Sequence, residues 1–241
     1  MKNLMIILLS TLISLSTYAN NIIEAPHKTV VAKSGLTLRM FAGMKSPAIK
    51  VIPFGENVTI LETLEENESR VDWVKGTWVL VAHEGDTGYV FDGFLTSLDI
   101  PEYEFELNQF ELDFIYPLEA YAEYRFVSSE LPDTLNKNDR KKVTINFEDN
   151  SKLIKTSTDD YYKVELILSD ARIMDAYHLL QNMIPNKRDL KKFNELSLFI
   201  ADEKGDVERI KVQLNNPIRI DKMQNGQIKI GILTSESGCK L

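Results

Sequence analysis

The sequence predicts a mainly β protein of the α+β kind. A small β-barrel over residues 29–97 is followed by an α+β domain over residues 102–241, built of antiparallel strands and hairpins with one main helix. Three observations carry this. Short apolar runs separated by Gly, Pro and polar turns fill residues 29–97, the spacing of a small closed or half-closed barrel. One stretch, 171–184, keeps a helical period. The C-terminal part alternates with period two around Asn225-Gly226, a strong short hairpin signal.

The chain opens with Met1-Lys2-Asn3 and an apolar run over 4–15 that ends at Thr17-Tyr18-Ala19, the pattern of a secretory signal peptide over residues 1–19. The run is shorter than the roughly 17 residues a membrane span needs, so no span is expected in the mature chain. Export is the expectation, to the periplasm first, with full secretion left open. Cutting removes Lys2 and takes the formal charge from −8 to −9. An acidic chain without a basic stripe is not expected to bind nucleic acid or an anionic membrane surface. Cys239 is the single cysteine, so no internal disulfide can form, and pairing with another chain stays open.

Residues 20–28 have no usable period and read as an extended lead-in. Strands then follow at 29–32, 36–39, 49–52 and 57–64, with turns at Gly35 and Pro53-Phe54-Gly55. The charged segment 65–70 is a solvated hairpin tip, strands follow over 71–81, and Gly85 to Tyr89 turns the chain back into Val90-Phe91.

The motifs here are Gly35-Leu36-Thr37-Leu38-Arg39, the turn Pro53-Phe54-Gly55, the Trp-led strand Trp78-Val79-Leu80-Val81, the segment Gly85-Asp86-Thr87-Gly88-Tyr89-Val90 and the end Phe94-Leu95. In this order and spacing they resemble the bacterial SH3 (SH3b) domain over about 65 residues, and their joint occurrence is far more specific than any one of them. The loop Met40-Phe41-Ala42-Gly43-Met44 departs from the polar run common in that family. The resemblance implies an SH3-like barrel in a cell-envelope setting, with peptidoglycan peptides as a frequent ligand class.

Beyond a boundary at 96–101, Tyr103, Phe105 and Leu107 alternate with glutamates, and Phe110, Leu112 and Phe114 resume the alternation out of phase. Over 102–124 this predicts two strands, or one strand with a bulge. Residues 131–142 read as a polar loop, 142–147 and 161–168 as strands. Ser169-Asp170 reads as the cap of the helix 171–184, whose apolar face is Ile173, Ala176, Tyr177, Leu180, Met183 and Ile184. A basic loop follows at 186–192, then hairpins over 195–214 and 218–230.

The residues that could do chemistry are few. There are three histidines, His27, His83 and His178, without metal-ligand spacing, and on the wheel His178 falls on the solvent side of its helix. No nucleophile elbow is present, and the carboxylates read as the wet faces of strands. No catalytic residue, metal or cofactor is assigned. The first domain holds more aromatics than so small a barrel buries, so Trp73, Tyr89, Phe91 and Phe94 are the candidate ligand groove, with packing against the second domain as the alternative. Lys187, Arg188, Lys191 and Lys192 form a candidate docking patch for an acidic partner, or a plain solvated loop.

The function read from these features is an exported, non-catalytic binding protein of the cell envelope. Its barrel takes a peptide-like or peptidoglycan ligand, and its second domain binds an envelope protein partner or orients the barrel. Two alternatives stay open, an envelope hydrolase targeted by the SH3b domain and a periplasmic inhibitor or interaction protein.

Overall fold

The computed structural model describes residues 26–64, 68–71, 74–101, 112–137 and 139–235. The expected signal peptide, most of the lead-in, Trp73, the alternation over 102–111 and Cys239 lie outside the described residues.

The N-terminal part holds β1 (His27–Val30), β2 (Leu36–Arg39), β3 (Ala48–Ile52), β4 (Asn57–Thr63), β5 (Ser69–Val71), β6 (Val74–Gly76), β7 (Trp78–His83), β8 (Asp86–Phe91), a 3₁₀ turn at Asp92–Phe94 and β9 (Leu95–Thr96). Seven of these strands form one sheet in the order β3-β2-β8-β7-β4-β1-β9, and β5-β6 is a separate hairpin. Strand alternation sorts the side chains. Val79 and Val81 of β7 and Val90 of β8 join Val30, Leu38, Ile52 and Val58 in the barrel core. Trp78 and Phe91, on the opposite face of the same two strands, belong to a second and larger core.

The two glycines of the β7–β8 motif serve different needs. The hairpin turns through Glu84 (φ 49°) and Gly85 (φ 85°), the left-handed pair whose twist suits right-handed strands. Gly88 lies within β8, and a Cβ there would sit 2.6 Å from the Arg39 carbonyl oxygen of β2 and 2.9 Å from Ile49 Cδ1.

The second part holds α1 (Ile115–Arg125), β10 (Asp133–Lys137), β11 (Arg140–Asn146), β12 (Lys152–Ser157), β13 (Tyr161–Leu168), α2 (Ile173–Asn182), α3 (Lys187–Glu195), β14 (Ser197–Ala201), β15 (Val207–Val212), β16 (Ile218–Lys222) and β17 (Ile228–Ser235). Its strands form one antiparallel sheet in the order β10-β11-β12-β13-β17-β16-β15-β14. The expected mainly β, α+β class is the observed one.

Several elements differ from expectation. Residues 115–125 form α1 instead of a strand. Leu118, Tyr121 and Ala122 are buried at helical spacing, Asp113 accepts the Ile115 N–H, and Pro117 falls in the first turn, where no N–H is missed. The polar loop over 131–142 is largely β10 and the start of β11. All five residues of β10 are exposed at the sheet edge, so no apolar alternation marks it. The unforeseen β12 pairs between β11 and β13. The basic loop is α3, capped by Asn186, whose Oδ1 accepts the Asp189 N–H at 2.9 Å and whose amide donates to Asp189 at 2.7 Å. The cap of α2 is Arg172, not Ser169-Asp170, because Asp175 accepts the Arg172 N–H at 2.8 Å.

The two faces of the second sheet are unlike. Leu153, Val164, Leu166, Ile210, Ile220 and Ile230 lie on the inner face under α1 and α2. The register puts Lys137, Arg140 and Lys142 of β10–β11 on the other face, with Lys152 and Lys163 of β12–β13. Arg209, Lys211, Arg219 and Lys229 of β15–β17 continue it. Its acids at strand positions are Asp133, Glu165 and Asp221. Side-chain exposures of 53% for Arg219 and 37% for Lys163 show that it faces solvent.

The two parts share one core, in which Val74, Trp78, Phe91 and Leu98 pack with residues of α1, α2 and the second sheet. Arg172 fastens the junction. Its Nη1 donates to the Asp92 carbonyl at 3.2 Å and to Asp92 Oδ2 at 3.3 Å, and its Nη2 donates to the Leu95 carbonyl and to Asp175 Oδ1.

Gly88→Ala is expected to cost about 2–3 kcal/mol, because the added carbon overpacks against backbone. Gly85→Ala should cost only about 1 kcal/mol, the penalty of a left-handed L-residue. Urea unfolding of the two variants measures both, and equal losses would contradict the close-approach role of Gly88.

Candidate functional site

A cleft of about 570 Å³ opens between the barrel and the second part. The turn after β1, with Lys33 to Thr37, forms one wall with Trp78, Phe91 and Phe94, while α2, α3 and β14 form the other with Tyr177, His178, Asn182, Asn194 and Phe199.

Aromatic rings cross the junction in an unbroken chain. Trp78 and Phe91 have centroids 6.0 Å apart, Phe91 and Phe94 5.8 Å, Phe94 and His178 6.0 Å, His178 and Tyr177 6.1 Å, and Tyr177 and Phe199 5.1 Å. The pairs are tilted or edge-to-face, the arrangements aromatic quadrupoles favour.

Polar groups on the helix wall are tied together. Gln181 Nε2 donates to Asn194 Oδ1 at 2.7 Å, and the Tyr177 hydroxyl lies 3.0 Å from the same oxygen and 3.2 Å from Ser197 Oγ. Gln181 Oε1 lies 2.8 Å from His178 Nδ1, so the ring proton sits on Nδ1 and Nε2 is the acceptor. Burial pushes the His178 pKa below its ordinary value, against the opposing pull of Gln181, Asp175 and the Gly93 carbonyl; Arg172 pushes the same way as burial. His178 is therefore a neutral acceptor. Its Nε2 and the Asn182 Oδ1 are buried without a hydrogen-bond partner. Both residues line the cleft, and these two atoms are covered within its wall.

The cationic groups at the rim are already engaged. Lys33 Nζ donates to the Ile184 carbonyl at 2.7 Å, near the C-terminal end of α2, and burial lowers its pKa. Arg39 Nη1 donates to the Ser46 carbonyl at 2.7 Å.

The candidate residues fall in different places. Phe94 is half-buried and lines the cleft. Phe91 also borders it but is only 3% exposed, so it is a floor of the shared core rather than an open groove residue, because the second part covers its face of β8. Tyr89 is half-buried against the shared core and does not line the cleft. Lys187, Arg188, Lys191 and Lys192 project from the exposed side of α3, while Leu190 and Asn194 of that helix reach the cleft. His178 is buried at 6% exposure instead of facing solvent. Its helical wheel position was read within one domain, and the barrel packs on that side. Asn182 was missed, since a lone Asn at a helix end carries no sequence signal.

Residues 34–96 match the family model of the bacterial SH3 domain, spanning β2 to β9, as the sequence resemblance had indicated. The match points to a cell-wall or peptidoglycan-binding module. No curated protein and no solved structure matches the chain. No described helix is long and apolar enough to cross a membrane.

The depressed pKa of His178 gives a stability test. As pH falls, the unfolded chain takes up the proton first, so the stability due to the neutral ring is complete above about pH 6.5 and is lost below it. Denaturant midpoints measured between about pH 7 and pH 5 should fall more steeply for the native chain than for His178→Leu. Parallel slopes would mean that the ring takes up its proton as readily in the fold as in the unfolded chain.

Proposed function

We propose that this chain is an exported, non-catalytic binding protein of the bacterial cell envelope, whose interdomain cleft takes a peptide-like ligand of the kind found in peptidoglycan stems. The supporting observation is a cleft of about 570 Å³ walled by Trp78, Phe94 and Tyr177, with the unpartnered acceptors His178 Nε2 and Asn182 Oδ1 buried in its wall. A peptide supplies N–H and ammonium donors for the acceptors and aliphatic side chains for the rings. A neutral imidazole accepts from such donors without repelling a cationic one. The match of residues 34–96 to bacterial SH3 domains supports the setting.

In this reading the second domain completes the site as well as orienting the barrel. The exposed basic side of α3, Lys187, Arg188, Lys191 and Lys192, is left for an acidic envelope partner beside the cleft mouth.

The test is co-sedimentation of the chain from Asn20 onward with purified peptidoglycan, followed by titration with synthetic stem peptides. Saturable binding is expected, and Phe94→Ala and Asn182→Leu should each weaken it about tenfold, the effect of one lost contact. Binding that survives Phe94→Ala but disappears in Tyr89→Ala would put the ligand on the barrel away from the cleft. No binding at any accessible concentration would overturn the reading altogether.

A further inference from the structure

We propose that the open face of the eight-stranded sheet is a docking surface for an anionic phospholipid membrane. The strand positions on that face carry nine cations against three acids, a formal excess of six. The chain as a whole is at −8, so everything else carries −14. A separation of that size gives the molecule a basic side and an acidic side, and an anionic plane would attract the first and repel the second.

The internal ion pairs do not use up the positive charge. Asp221 is shared by Arg209 and Arg219, and Glu165 by Lys163 and Lys229. Lys142, Lys152 and Lys211 have no acidic partner among the described residues. Gathering unpaired like charges on one face costs stability, and an anionic partner turns that cost into affinity.

Shape and apolar content select the kind of partner. Eight strands at about 4.8 Å spacing make a face about 34 Å across, with one shallow hollow of about 430 Å³ over β13, β17, β16 and β15. Leu135, Leu198, Ile200 and Leu233 lie on it among the cations and are 40–57% exposed. Its single aromatic at a strand position, Tyr161, stands at the end of β13. Sugars and nucleobases are held by aromatic stacking, and the hollow on this face is lined by no aromatic side chain. Cations interleaved with aliphatic side chains suit phosphate headgroups with acyl chains just beneath.

The experiment is flotation of the chain from Asn20 onward with vesicles of phosphatidylcholine alone and of phosphatidylcholine with phosphatidylglycerol. Binding is expected to the anionic vesicles only, weakening as salt rises. The double variant Lys142→Glu and Lys211→Glu breaks no ion pair, and should lower partitioning at least about 25-fold, from about fivefold per neutralised cation. Its thermal unfolding, compared with the native chain, verifies that it folds. Equal binding to neutral vesicles, absence of binding, or full binding by the folded double variant would overturn the proposal. So would equimolar duplex DNA or dextran sulfate stripping the chain from vesicles, since the face would then be a polymer site. The outcome is independent of peptidoglycan binding, because no wall material is present.

Discussion

The guanidinium of Arg172 is the constraint on which the arrangement of the two parts depends. It meets the Asp92 carboxylate and the Asp92 and Leu95 carbonyls of the barrel on one side, and Asp175 at the start of α2 on the other. Asp92 is itself fixed, since its Oδ1 accepts the Thr77 N–H at 2.7 Å. One planar, always-charged group therefore joins the barrel's last turn to the N-terminus of the helix that walls the cleft. A lysine has a single point charge and could not satisfy carbonyls and two carboxylates in one plane. Around this polar junction, Trp78 and Phe91 supply the buried area that holds the two parts together.

That junction explains why the aromatics serve two purposes. Strand alternation gives the barrel a valine and leucine interior and sends Trp78 and Phe91 outward, where an isolated barrel would expose them. The second part covers them, but not completely, and the uncovered remainder is the cleft. The same packing buries His178 against Phe94 and leaves Nε2 without a partner. The site thus arises from contact between two units, each of which completes what the other leaves open.

The barrel was legible in the sequence because its signals are local: turn glycines, strand alternation and motif spacing lie within a few residues of each other. The helix α2 was legible for the same reason, by its 3.6-residue period. What the sequence hid depends on partners distant along the chain. β10 is polar because it lies at an edge, and α1 is obscured by alternation in the residues before it. The faces of Phe91 and His178 were read correctly by parity and by wheel, yet what covers those faces could not be read. The basic sheet face was hidden for a different reason. Its cations sit at every second position of separate strands, so no linear stretch of the chain is conspicuously basic, and the total charge is negative.

The position of β17 has consequences for assembly. This strand lies in the middle of the second sheet, between β13 and β16, although it is the last described strand in chain order. Until residues 228–235 are available, the β10–β13 meander and the β14–β16 meander are two separate sheets with open edges. Pairing them is a long-range event, with loop closure spanning α2, α3 and three strands. A chain that emerges from a ribosome or a translocation pore in sequence order therefore cannot complete this half of the molecule early. The cleft wall on α2, which rests on β15, β16 and β17, forms late for the same reason. The cleft and the finished fold arrive together.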